Sequence, residues 1–169
     1  MKKRSAALSD QEVKGVLAGE LTCLWRPIRP PRGEGWRPVG EMIRSKADLS
    51  DPAFRWDRTG ALGATQWVED RCPFGAPGDQ LLVKEASRWS AELDGDGDCE
   101  VEYRADGAKL RRTQVDESGY SSIRNYKFWT PSTQMPLWAS RLCLKILTIQ
   151  VRQDDGKWWW VVSFERVQA

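Results

Sequence analysis

Histidine is absent from this chain. Chemistry that depends on an imidazole as base, acid or metal ligand is therefore excluded. Cysteine is sparse: Cys23, Cys72, Cys99 and Cys143 stand singly, with no Cys-x-x-Cys pair, so no structural zinc is expected; no other metal and no cofactor are expected either. Four cysteines could pair in an exported protein, but Met1-Lys2-Lys3-Arg4 leads into mixed polar sequence and not into a signal-peptide core. No apolar run approaches the roughly 18 residues of a membrane span. The expectation is a cytoplasmic monomer with no membrane partner.

A strong charge of one sign is also lacking, since the formal net charge is only +2. Its placement is uneven. Residues 1–46 hold ten Lys/Arg against five Asp/Glu, whereas residues 91–118 hold four against nine. The basic end could meet phosphate while the acidic segment faces elsewhere, or both could be ordinary solvated surface. What the chain has in quantity is tryptophan, ten in 169 residues. That length suits a single domain, 1–169, able to bury its own core.

Ser9-Asp10-Gln11-Glu12 is a capping box, so a short helix is predicted to start there, with Val13, Val16 and Leu17 on one face and Gly19 as its stop. A strand from Leu21 to Arg26 follows. From Pro27 to about Gly63 the sequence is dense in proline and glycine and reads as an extended loop. Arg29, Arg32 and Arg37 surround Trp36 there, a mixture that suits a single-stranded nucleic acid and equally a solvated loop. Ala64 to Val68 is a short strand candidate, Cys72 to Asp79 a dense turn, and the alternation in GDQLLVKEA a strand that delivers Lys84, Glu85 and Trp89 to its end.

Asp94-Gly95-Asp96-Gly97-Asp98 has the opening of a calcium loop, but Cys99 and Ala105 stand where the glycine and the bidentate glutamate are needed. It reads as an acidic turn before the strand Cys99 to Tyr103, with Asp106-Gly107 turning into a hairpin. Lys109 to Lys127 shows no clear period and reads as loop with some strand pairing. Leu142, Leu144 and Ile146 begin an alternation that runs to Val151. Asp154-Asp155-Gly156 then turns into a closing strand around Trp158, Trp159 and Trp160, at least one of which should be core.

Ahead of that hairpin, Trp129-Thr130-Pro131-Ser132 and Met135-Pro136-Leu137-Trp138 form two proline corners, with Ser140 and Arg141 entering the strand. Loops held by a rigid strand commonly carry function. The stretch WTPSTQMPLWASRLCLKI (Trp129 to Ile146), with CPFGAPGDQLLVKEASRW (Cys72 to Trp89) and VEYRADG (Val101 to Gly107), resembles short bacterial and prophage proteins built on the ASCH domain, a relative of the RNA-binding PUA fold. The resemblance, which leaves out the stretch from about Pro27 to Gly63, implies a small β-barrel with flanking helices; joined to the elements read above, the expected fold is α+β, a small, mostly antiparallel PUA-like β-barrel with a short N-terminal helix and a long Pro/Gly-rich loop. The resemblance also implies a cleft suited to a nucleobase or RNA.

The corner and that resemblance together name as binding residues Trp25, Arg26, Lys84, Glu85, Trp129, Ser132, Trp138, Ser140 and Arg141, with the alternative that Trp129 and Trp138 only plug the end of a barrel. Arg26, Lys84, Glu85, Ser140 and Arg141 are expected to meet in one cleft beside Trp138. The leading function is an RNA- or modified-nucleobase-binding module, with an RNA or nucleoside/nucleotide partner. The alternatives are an amidohydrolase acting on N-acylated cytidine, as some small ASCH proteins do with a Lys, a Thr and a Glu, or an RNA-cleaving enzyme. Gly19, Thr22 and Arg26 match the family's helix–strand junction. Leu21 and Leu24, however, stand where the amidohydrolases have their lysine and threonine, leaving Glu85, Lys84 and Thr22 as weak catalytic candidates.

Overall fold

The computed structural model describes residues 1–46, 50–60, 63–90, 99–112 and 128–168. The acidic turn at Asp94 to Asp98 and the segment 113–127 lie outside them. In chain order the elements are β1 (Lys3–Ala7), α1 (Asp10–Ala18), β2 (Cys23–Ile28), β3 (Arg37–Arg44), β4 (Pro52–Thr59), β5 (Thr65–Arg71), β6 (Gln80–Lys84), β7 (Ser87–Ser90), β8 (Cys99–Tyr103) and β9 (Lys109–Arg112). Two 3-10 turns (Ser132–Gln134 and Leu137–Ala139), β10 (Cys143–Asp154) and β11 (Lys157–Val167) complete them. The fold is α+β, mostly strand, with one helix among the described residues.

The strands hydrogen-bond in three sheets, ordered β1-β6-β10-β11-β2, β3-β4-β5 and β7-β8-β9. They do not close into a barrel, which corrects the closed barrel expected from the sequence. Closure needs one continuous ladder with no edges, and each of these sheets keeps two. The second correction is the proline-rich stretch. Residues 37–44 and 52–59 are strands of their own antiparallel sheet, not parts of one long loop.

The chain divides into two compact units: Met1–Arg4, Thr22–Gln80 and Lys145–Glu165 form the first, and Ser5–Leu21, Leu81–Leu144 and Arg166–Ala169 the second. In the first, β11 pairs with β2 so that Trp160 faces Arg26 and Val162 faces Leu24. Leu24, Phe54, Trp56, Trp160, Val162 and Phe164 are buried there, and Phe54 packs against both Trp56 and Trp158 at 5.2 Å between ring centres. Gly40 interrupts the β3–β4 register at φ +83°, where a Cβ would stand 3.3 Å from the Trp158 ring. The Cys72 to Asp79 turn is tied by Asp79, whose carboxylate accepts from the backbone N–H groups of Lys2 and Ala76 at 2.7 and 3.2 Å. Buried Asp51 is held by two bonds from Arg4, at 2.7 and 2.8 Å.

In the second unit, α1 begins with the reciprocal Ser9–Glu12 capping box and ends at Gly19 in the left-handed conformation, φ 74°. Val13 and Val16 are buried. Trp89, Cys99, Val101, Tyr103, Met135 and Ala139 make a contiguous core. Cys23 and Cys72 are free thiols, and burial pushes that of Cys72 up to about 11. Among the described residues, no helix is long and apolar enough to cross a membrane.

Candidate functional site

In the second unit, the side chains named from sequence gather around Arg141, which lies between the second 3-10 turn and β10. Its Nε and Nη2 donate to the two oxygens of Glu85 at 2.9 and 2.8 Å. Its Nη1 and Nη2 donate to the two oxygens of Asp106, both at 2.9 Å. The guanidinium lies over the Tyr103 ring, 4.1 Å from its centre, and Tyr103 is itself fixed by donating its hydroxyl to the Ala139 carbonyl at 2.6 Å. One planar cation thus joins two carboxylates through forked, charge-assisted bonds, the strong kind of hydrogen bond. Burial alone would lower the Arg141 pKa, but the two carboxylates outweigh it and raise it. The same bonds hold Asp106 below the usual carboxylate range.

The neighbouring positions are equally occupied. Buried Ser140 donates to the carbonyls of Val83 and Leu142, at 3.0 and 3.1 Å. The Lys84 ammonium donates to the Thr133 carbonyl at 2.7 Å, and the Glu85 backbone N–H points at the Met135 sulfur at 3.0 Å. Trp138 packs against Trp89 at 6.0 Å, and Trp129 lies under the Arg88 guanidinium at 4.7 Å. Ser132 opens the first 3-10 turn, where its carbonyl accepts from Met135 N. Lys84, Glu85, Ser140 and Arg141 therefore come together on the ends of β6 and β10.

Chemically, the cluster is a closed set of charge-assisted bonds. Glu85 is 0% exposed, and both its oxygens face guanidinium N–H groups. Asp106 and Tyr103 are the members that sequence reasoning missed, although both lie inside the VEYRADG stretch. An acidic residue one step before a glycine looks like turn chemistry, and nothing local shows that it reaches a residue 35 positions away.

Trp25, Arg26 and Thr22 belong to the first unit. Trp25 is exposed and meets Trp159 edge to face at 6.4 Å. Arg26 donates from Nη1 to the Trp25 carbonyl at 2.9 Å, and the Thr22 carbonyl accepts from Phe164 N at 3.0 Å. The β3-β4-β5 sheet of this unit carries a second group. The Lys46 ammonium sits 3.9 Å from the centre of the Trp67 ring and the Arg55 guanidinium 5.5 Å from it, while Arg58 lies 4.6 Å from Trp36. Glu69 positions Lys46 by accepting from Ser45 Oγ at 2.5 Å and from Lys46 N at 2.9 Å. Arg55 is braced by Asp57 at 2.7 Å and Arg58 by Gln66 at 2.8 Å.

Trp36 was visible in the sequence as a ring among arginines, but its partner Arg58 comes from another strand. Trp67, Lys46 and Arg55 carried no local signal, because their juxtaposition is made by cross-strand pairing. Among the described residues, no group of three acidic or cysteine side chains is placed to hold a metal ion. Comparison of the chain with protein-family models, with curated proteins and with solved structures found no match.

Proposed function

We propose that this protein is an RNA- or modified-nucleobase-binding module of the ASCH, PUA-like kind, and that its first unit makes the contact. The observation that carries this reading is the set of cations held over indole rings on the β3-β4-β5 sheet. Single-stranded nucleic acid is bound by pairing positive charge, for phosphate, with aromatic faces, for bases. Charge supports the same unit: it holds fifteen Lys/Arg against eleven Asp/Glu, and the second unit eleven against thirteen. Trp25 and Arg26 extend the aromatic and basic content of the first unit. The Arg141 cluster serves as the rigid support of the second.

The test is a fluorescence titration of the full chain with short single-stranded RNA over a range of salt. Log affinity should fall by about 0.7 per log unit of salt for each phosphate neutralised. Trp67→Ala removes a stacking face worth about 1–3 kcal/mol per base and should weaken binding accordingly. Lys46→Ala should weaken it less and reduce the salt slope. If no RNA binds even at low salt, the reading is wrong.

A further inference from the structure

The first unit holds a pocket of about 410 Å³ walled by Pro27 and Arg29 near the end of β2, by Glu69, Asp70 and Arg71 of β5, and by Trp160 of β11. That volume lies in the range of small-molecule sites. Asp70 stands opposite Phe54 in the antiparallel ladder, so its side chain leaves the sheet on the face that carries this core ring. Burial raises its pKa. Among the described residues, no hydrogen bond or ion pair reaches its carboxylate. Its neighbour Glu69 is different, since both oxygens of Glu69 are occupied by Ser45 and Lys46. Arg29 and Arg71 are exposed and likewise make no ion pair among the described residues.

A half-buried carboxylate with no protein donor among the described residues is an open acceptor for a guest that brings N–H groups. Such a guest must present N–H groups to two oxygens and an anion to two arginines, and its body must fit between the Pro27, Pro31 and Pro73 walls. A cationic guest would be repelled by the arginines. Among the common bases, guanine alone sets N1–H beside its amino group, two adjacent donors matching the two carboxylate oxygens. Adenine and cytosine place an acceptor beside their single amine, and uracil flanks its one N–H with carbonyls.

We infer that this pocket is a guanine-nucleotide site, with the Watson–Crick edge of the base on Asp70 and the 5′-phosphate on Arg29 and Arg71. The inference rests on the nucleobase-binding reading above and narrows it to one base. Single-stranded RNA is read through such unstacked base edges. The guest can therefore be a free nucleotide or a guanosine within a strand.

The experiment titrates the full chain with GMP, AMP, CMP, UMP and guanosine, and with uridine heptamers carrying one central G, A or C. GMP and the G heptamer should bind at least about tenfold more tightly than their counterparts, the discrimination expected of a bidentate base contact. Asp70→Asn places an amide N–H against a base donor and should erase that preference. Its thermal unfolding, recorded alongside, confirms that the variant is folded. Arg71→Ala should weaken GMP and leave guanosine unchanged. If the heptamers bind alike whatever the central base and Asp70→Asn alters nothing, the guanine site is overturned while RNA binding stands. GMP binding without heptamer binding supports the pocket and overturns the RNA reading. Binding of neither overturns both.

Discussion

At Arg141, one side chain that is 13% exposed neutralises a Glu85 that is 0% exposed. Removing a single partner of such a pair leaves an uncompensated buried charge. Arg141→Ala is therefore expected to lower the unfolding free energy by about 3–5 kcal/mol, measured by urea denaturation. Protonation gives a second check. Asp106 has a folded pKa below its unfolded value of 3.8, so its contribution is fully present above that value and is lost as pH falls through the folded one. Asp70 has the opposite sign. Its folded pKa is raised, so the native state binds the proton more tightly, and stability declines as pH rises from 3.8 through the raised value. Asp106→Asn should flatten the acid limb of a stability–pH curve, and Asp70→Asn should stabilise the protein at neutral pH. Arg141 was legible in the sequence because a proline corner there leads into an alternating strand, and Glu85, at the end of another such strand, was named through the resemblance. Asp70 was not, since a Glu-Asp-Arg run reads as solvated surface until the ladder shows Asp70 opposite Phe54.

Among the elements, the strands read most reliably where the alternation is unbroken, as in β6, β8 and β10, and the helix where its capping box stands in full. The stretch after Pro27 was misread for a definable reason. Proline is tolerated in a sheet on an edge strand or at a strand's first residue, and both cases occur here. Pro38 lies in β3, which is the edge of its sheet, and Pro52 opens β4. Gly40 hides the period further, because the register shifts between Pro38 and Met42. The glycine is needed twice over, for its positive φ and for the space beneath the Trp158 ring. Gly40→Ala should therefore destabilise by about 1–2 kcal/mol from backbone strain alone. Thermal unfolding measures it, and a change below a few tenths of a kcal/mol would count against this account of the bulge.

For the molecule as a whole, deacylation of N-acetylcytidine is expected to be negligible. On the resemblance drawn from the sequence, Leu21 and Leu24 would occupy the positions of the amidohydrolase lysine and threonine; Leu21 falls in the second unit and Leu24, buried, in the first. The remaining carboxylate, Glu85, is bridged by Arg141. Loss of a positioned acid–base group typically costs about 10² to 10⁴ in rate. Product formation by purified protein, compared with Glu85→Gln, measures this, and robust turnover abolished in that variant would restore the enzyme alternative. The way the chain threads its two units has a consequence of another sort. Each unit is assembled from three separate stretches of sequence, taken up and left in turn. No single cut in the gene yields either one intact: a stand-alone copy of the first unit would need two artificial joins, one replacing residues 5–21 and the other residues 81–144.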